Sequence, residues 1–274
     1  MESERIRLMD IPFENLMMGG CNSKPPMSEL SAMVRGSRLD VPSFHRDAPT
    51  AKLSDEVCTA IDCLVPFTRN PFLYGAYSCL HAITDIHAVG GTPTDCNACL
   101  TIGEGCDMEA ARLIMDGVAH ILTNRSIQFG KGHTLIGAET LLTISLIGSL
   151  ANQQPSPEYG VSYDLILTKP LGEFRSLLIR EVEEATNTVH DAIELLPSSH
   201  CYITSQIARC ISGSTDVTGY GLVGAARTIS DQGFQISLNI DKLKVFDIDD
   251  LKVPVSCDTE RNRSELLTLL DFDD

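Results

Sequence analysis

The stretch LHAITDIHAVGG, residues 80–91, is the most informative in this chain. It is mostly apolar and ends in two glycines, a pattern that predicts a helix with a glycine stop. Asp85 lies near the end of that helix, where a carboxylate meets the negative end of the helix dipole. Burial would add a desolvation cost. We therefore expect Asp85 either to face water or to meet a cation, with His81 one turn earlier on the same face to orient it.

Segments on both sides of this helix alternate between strand and helix patterns. Residues 51–67 predict a strand that ends near Asp62, and residues 94–103 and 140–150 predict two more. The apolar spacing of 106–127 predicts a helix with Asp107 as its N-cap. Because strands and helices are mixed along the chain, the sequence predicts an α+β fold.

The second half of the chain begins after a polar segment with two prolines, ANQQPSPEYG, residues 151–160, which predicts a linker. Strand patterns follow at 163–172 and 234–241, a helical pattern at 173–210, and a loop that leads into a helix at 214–233. Residues 1–50 lack sustained periodicity and predict a loop-rich arm. We expect a division into an arm at 1–46, an N-terminal domain at 47–150 and a C-terminal domain at 161–274.

Composition restricts the function classes. The formal net charge of −16 argues against a nucleic-acid partner, because a phosphate backbone must be neutralised by Lys and Arg. The chain has no run of 18 or more apolar residues, so no membrane span is expected. Its polar N-terminal residues lack the apolar region of a secretory signal. We therefore expect a cytoplasmic protein. The ten cysteines are then expected to be reduced thiols. Cys96 and Cys99 form a CxxC pair, but no second pair follows at metal-site spacing.

Two groups of residues could carry chemistry. In GGCNSK, residues 19–24, the ammonium of Lys24 would favour the thiolate form of Cys21, although an inert cysteine in a turn fits the same spacing. Isolated aspartates near element ends could bind Mg²⁺, which takes oxygen ligands from separate elements. Each alone is also typical of a cap or surface residue; they are Asp47, Asp62, Asp85 and Asp216.

Two glycine-containing segments are weaker signals. Gly219, Gly221 and Gly224 match the dinucleotide-binding pattern, but the preceding residues form a poor strand, which favours a tight turn leading into a helix. GKGH, residues 130–133, could hold a phosphate through backbone N–H groups and one ammonium, or it could be an ordinary turn.

Seven stretches occur in an order that resembles one family. They are GGCNSK, HRDA, RNPFLYG, HAITDIHAVGGTP, GKGHTLIGAE, LILTKPLG and TDVTGYGLVG. Together they resemble the selenophosphate synthetases (selenide, water dikinases) of the aminoimidazole ribonucleotide synthetase-like superfamily. HAITDIHAVGGTP and TDVTGYGLVG are the most specific of them.

The resemblance implies a two-domain α+β fold of the aminoimidazole ribonucleotide synthetase type. A flexible arm, 1–46, would carry the Cys/Lys motif. The domain at 47–150 would bind ATP and metal and supply the sheet of a homodimer. Family members continue past the equivalent of residue 274 through an Asp-Pro-Gln-Thr-Ser-Gly-Gly-like stretch, so we expect the α+β domain at 161–274 to be incomplete.

The resemblance also implies an activity. Family members use ATP, water and selenide to make selenophosphate, AMP and phosphate, with Mg²⁺, and K⁺ as a candidate second cation. Cys21 and Lys24 would be catalytic. The implied ATP contacts are Lys24, Arg46, Asp62, Asp85, Lys131, Gly132 and His133, and the implied metal ligands are Asp47, Asp62, Asp85 and Asp216.

Several residues depart from the family pattern. Ser23 stands where the family has a second Cys, Lys131 replaces the first residue of a Gly-Gly-His segment, and His81 replaces a common Asn. Two alternatives therefore remain open. One is a catalytically weakened or inactive paralogue that binds nucleotide or regulates an active synthetase. The other is a different ATP-using relative, such as a small-molecule kinase, which would not need Cys21.

Overall fold

The computed structural model describes residues 7–12, 29, 32–33, 35, 50–51, 54–151, 154–168, 171–172, 188–196 and 205–238. Cys21, Lys24, Arg46 and Asp47 lie outside these ranges. One five-stranded sheet is built from β1 (Thr50–Ala51), β2 (Ser54–Leu64), β3 (Thr92–Ile102), β4 (Gln128–Ile136) and β5 (Leu141–Ser149).

The helices whose bounds lie within the described ranges are α1 (Pro71–Ala88), α2 (Met108–Asn124), α3 (Val189–Leu195), α4 (Ser205–Ala208) and α5 (Gly221–Asp231). The strands and helices predicted within 51–150 are confirmed apart from small shifts at their ends. The predicted N-cap is confirmed as well, because the Asp107 side chain accepts a hydrogen bond from the Ala110 amide. No helix in the described ranges is both long and apolar enough to cross a bilayer.

The strand order in the sheet is β1-β2-β5-β3-β4. β5 lies between β2 and β3 and is antiparallel to both, whereas β3 and β4 are parallel neighbours. A parallel pair needs a crossover connection, and α2 supplies it between β3 and β4. β2 and β3 run in the same direction on either side of β5, with α1 connecting them.

Helices α1 and α2 cover one face of the sheet. Side chains alternate between the two faces of a strand, and the buried set on β5 is Leu142, Ile144 and Leu146. On β2 the same alternation runs through the buried Cys58 and Ala60 to Asp62, so the Asp62 side chain is on the helix side of the sheet. The fold thereby places a carboxylate between the sheet and α1.

Helix α1 is fixed at its start and at its crossing with α2. Asn70 caps it by accepting from the Leu73 amide, and Pro71 fills the first helical position. A Cβ added to Gly75 would lie only 1.9 Å from the carbonyl oxygen of Ile114 on α2. The helix backbones are therefore in direct contact, and α1 is held in one position against the sheet.

Three expectations are corrected by the structure. GKGH is not a turn, because residues 130–133 lie inside strand β4. Residues 163–168, predicted as part of a strand, lie outside regular secondary structure, and Ile166 is 79% exposed. Residues 234–238, also predicted as strand, are irregular. An alternating pattern becomes a strand only when a partner is available, and the described ranges contain none for these two segments.

The cysteines in the described ranges are free thiols, as the sequence predicts. Cys96 and Cys99 are three residues apart on β3, so they face opposite sides of the sheet. Cys96 is fully buried and Cys99 is partly exposed. This CxxC pair is therefore not arranged to bind one metal ion.

Candidate functional site

The candidate site lies at the C-terminal turns of α1. Asp62 on β2 faces His81 on α1, with 3.8 Å between Asp62 Oδ2 and His81 Nε2. The two side chains are only 14% and 15% exposed, respectively. The separation is longer than a hydrogen bond, so the pair is an electrostatic contact.

Asp62 Oδ2 is a buried polar atom without a hydrogen-bond partner. A carboxylate oxygen in this condition has lost its water and gained no donor, which costs free energy in the folded protein. Such uncompensated polar atoms concentrate where a ligand completes the site. An atom of this kind suits a bound cation.

Thr84 connects α1 to the loop that precedes α5. Its hydroxyl oxygen is 2.9 Å from Asp216 Oδ2 and 2.7 Å from the His81 carbonyl oxygen. A hydroxyl has one proton to donate, so the two acceptors share it. Thr84 and Asp216 are 132 residues apart in sequence, and this contact brings Asp216 to the same turn of α1 that faces Asp62.

The loop that carries Asp216 is held at the end of α1 by two more side chains. Ser214 Oγ donates to the Ala88 carbonyl oxygen, and Gln154 Nε2 donates to the same oxygen at 3.3 Å. Ala88 is the last residue of α1, and carbonyls at a helix end have no partner within the helix. The Ala88 carbonyl oxygen therefore accepts the hydrogen bonds that hold this loop against the end of α1.

Asp85 follows Thr84 and is half-buried, on the face of α1 that it shares with His81. The contacts of Asp62 with His81 and of Asp216 with Thr84 thus bring these two aspartates to the part of α1 that also carries Asp85. Asp85 itself lies in the last turn of α1, at the negative end of the helix dipole, which favours a cation further.

Within the described ranges, no three His, Cys, Asp or Glu side chains are close enough to hold a metal ion by themselves. This is compatible with Mg²⁺, which binds one or two carboxylates and completes its octahedron with water and substrate phosphate oxygens. Asp62, Asp85, Asp216 and Thr84 offer oxygen donors, the ligand type that Mg²⁺ prefers. The residues therefore fit Mg²⁺ bound together with a phosphate ligand.

A second group of predicted residues, Lys131, Gly132 and His133, lies on β4 and is exposed. β4 is the edge strand, three positions from β2 in the sheet order, or about 14 Å at the usual strand spacing. The structure therefore does not bring these residues to the aspartates around α1 within one chain.

Sequence reasoning missed three side chains of this site: Thr84, Gln154 and Ser214. One local signal points to Thr84. The dipeptide Thr-Asp occurs at 84–85, 94–95 and 215–216, and the first and last of these lie in the two most specific stretches of the sequence. The packing of the two stretches against each other could not be read from that repetition.

Comparison with known proteins extends these observations. Residues 46–150 match the family described as AIR synthase related protein, N-terminal domain. The chain is 26% identical over 258 residues to a selenide, water dikinase of Bdellovibrio bacteriovorus, covering 85% of this chain and 71% of that protein. It is 25% identical over 243 residues to a selenide, water dikinase of Porphyromonas gingivalis, covering 83% and 69%.

The fold is also found among solved structures. The thiamine-monophosphate kinase from Stenotrophomonas maltophilia K279a superposes with a TM-score of 0.50 at 16% identity, covering 74% of this chain and 69% of that one. This likeness confirms the AIR synthase-like α+β fold class. Residues 46–150 therefore match an AIR synthase-related N-terminal domain, and the chain is similar in sequence to selenide, water dikinases.

Proposed function

We propose that this protein is an ATP-dependent phosphotransferase that makes selenophosphate from selenide and water and releases AMP and phosphate. The names of its sequence relatives support the reaction class. The proposal is supported by the contacts Asp62–His81 and Asp216–Thr84 at the C-terminal turns of α1, together with the buried Asp62 oxygen that lacks a hydrogen-bond partner.

In this proposal, Asp47, Asp62, Asp85 and Asp216 bind Mg²⁺ ions, and each ion takes one or two of these carboxylates and completes its coordination with water and phosphate oxygens. Mg²⁺ held there would supply positive charge against the negative charge of the phosphate ligand during phosphoryl transfer. The chain's own residues position the ligands. Thr84 orients the Asp216 carboxylate by hydrogen bonding, and His81 limits the movement of Asp62.

The remaining predicted residues are given roles from the resemblance. Lys24 neutralises phosphate charge and Cys21, as a thiolate, handles the selenium. Arg46 and the segment Lys131, Gly132 and His133 contact nucleotide. Because that segment is three strands from Asp62 in the sheet, we propose that it serves the nucleotide of a second copy of the chain.

A homodimer through the open face of the sheet is part of the proposal. That face carries the exposed apolar side chains of Ile61 on β2 and Ile147 on β5, which are 69% and 38% exposed. Burial of these side chains against a second sheet would remove apolar area from water. Light scattering after size exclusion should give twice the chain mass, and substitution of Ile61 by Glu should shift it to the monomer.

The central experiment incubates the purified protein with ATP, Mg²⁺ and selenide. AMP should form only when selenide is present, and Asp62→Asn should abolish its formation. Asp231→Asn is the matched control, because Asp231 is exposed at the end of α5. Cys21→Ser should lower the selenide-dependent rate, whereas Cys210→Ser, at an exposed cysteine, should not.

Other outcomes would replace the proposal. ATP binding without turnover would identify a nucleotide-binding paralogue that regulates an active synthetase. Phosphorylation of a different small molecule that survives Cys21→Ser would identify another kinase of the superfamily. Failure of the wild-type protein to bind ATP in the presence of Mg²⁺ would refute both the reaction and the site.

A further inference from the structure

Strands β3 and β4 contain an irregularity next to the segment Lys131-Gly132-His133. Cys96 pairs with Phe129 and Ala98 pairs with Gly132, so Asn97 alone lies opposite two residues of β4. This is a β-bulge, with the extra residue on β4. Bulges are uncommon in parallel pairs and are over-represented next to functional sites.

The side chain of Asn97 stabilises this bulge. Asn97 Oδ1 accepts a hydrogen bond from the Lys131 amide at 2.9 Å, replacing the backbone acceptor that a regular ladder would offer. Gly130 is the other residue opposite Asn97, and its lack of a side chain leaves room for the Asn97 side chain. A Cβ on Gly130 would lie 2.8 Å from the same Oδ1 atom, too close for an ordinary contact.

The bulge determines which face of the sheet each following side chain occupies. With the bulge, His133 pairs with Cys99, which lies on the face away from α1 and α2. Without the extra residue, continuing the register from Cys96 and Phe129 would place His133 opposite the buried Leu100. A shift of one residue moves every later side chain of a strand to the other face.

We infer that Asn97 is a positioning residue that fixes the bulge at Gly130 and thereby the presentation of Lys131 and His133. Under the proposed function, on which the ligand's identity rests, these groups meet the phosphates of a nucleotide. Lys131 stands where the family pattern has glycine, so this chain presents an ammonium that needs a defined direction. Asn97 gives the Lys131 backbone that direction through the amide.

The first test uses the protein without nucleotide. Hydrogen–deuterium exchange of the Lys131 amide should become faster in Asn97→Ala, because its acceptor is removed, and should stay slow in Asn97→Asp, which keeps an oxygen at the same place. Circular dichroism of each variant checks the fold. Unchanged exchange in Asn97→Ala would overturn the inference whether or not the protein binds ATP.

The second test measures the affinity for the Mg²⁺ complex of a non-hydrolysable ATP analogue. Asn97→Ala should weaken binding about fivefold to tenfold, the equivalent of one neutral hydrogen bond. Gly130→Ala should weaken analogue binding by a similar factor in the wild-type protein. In a protein that already carries Asn97→Ala, Gly130→Ala should weaken binding by less than about twofold, since the Asn97 side chain that it would collide with is absent.

The outcomes separate the two proposals. Faster exchange with unchanged affinity in Asn97→Ala would overturn the positioning role while leaving the proposed function intact. A wild-type protein that does not bind the analogue would refute the proposed function and, with it, the nucleotide as the ligand of this segment. Equal effects of Gly130→Ala in both backgrounds would overturn the steric match between Gly130 and Asn97.

Discussion

Replacing Thr84 by Val tests the contact that joins the two parts of the candidate site. Val has nearly the volume and the helix propensity of Thr, so the change removes little besides the hydroxyl. The lost interaction is the hydrogen bond from Thr84 Oγ1 to Asp216 Oδ2, at 2.9 Å. A hydrogen bond to a charged group contributes about 1.5–3 kcal/mol.

The full contribution would correspond to a decrease in Mg²⁺–ATP affinity of about tenfold to 150-fold. Thr84 also lies 2.7 Å from the His81 carbonyl oxygen and has a single proton to donate, so the lower end is expected. We therefore predict a weakening of about tenfold in Thr84→Val and less than about threefold in Thr84→Ser, which keeps the hydroxyl.

Titration calorimetry with Mg²⁺ and a non-hydrolysable ATP analogue is the assay, arranged as a double-mutant cycle with Asp216→Ala. If Thr84 acts by orienting Asp216, Thr84→Val should have almost no additional effect once the carboxylate is gone. Thr228→Val on α5 is the matched control, because the Thr228 hydroxyl donates to the Gly224 carbonyl oxygen of its own helix.

Two results would refute the reasoning. Wild-type affinity in Thr84→Val would mean that Asp216 does not depend on the hydroxyl. An equal loss in the presence and absence of the Asp216 carboxylate would mean that Thr84 acts by another route. A loss of the same size in Thr228→Val would point to general destabilisation by removal of a helical hydroxyl.

Three further predictions concern the described fold. Gly75→Ala should lower the free energy of unfolding in urea by about 2 kcal/mol or more, because the added Cβ would collide with the Ile114 carbonyl oxygen. This loss should outweigh the better helix propensity of Ala. Unchanged stability would contradict the close crossing of α1 and α2. Burial lowers the pKa of His87 from 6.5, so the unfolded chain binds more protons than the folded protein at acidic pH. The free energy of unfolding should therefore fall as the pH drops below about 6.5. His87→Asn should reduce this dependence on pH, and an unchanged dependence would refute the role of His87. Burial raises the pKa of the Cys58 thiol to about 11, so maleimide at neutral pH should modify the exposed Cys63 and spare Cys58 in the folded protein, as peptide mapping would reveal.

The elements between residues 54 and 149 could largely be predicted from the sequence because their signals are local. Apolar periodicity fixed α1, α2, β3 and β5, and a single capping side chain marked the start of α2. β4 could not be predicted in this way. It is an exposed edge strand with two glycines, so it has neither a buried face nor a strand-like composition to reveal it.

The same distinction between local and long-range signals applies to the candidate site. The sequence by itself determined which carboxylates and which glycine-rich stretches were worth considering, because residue chemistry and the order of motifs are properties of the chain. Only the tertiary structure decided that Asp216 meets Thr84, that Asp62 faces His81 with one oxygen unpartnered, and that Asn97 holds a bulge beside Lys131. The reason is physical: hydrogen bonds and burial depend on distances between atoms, and residues far apart in sequence acquire those distances only when the sheet, α1 and the loop before α5 pack together.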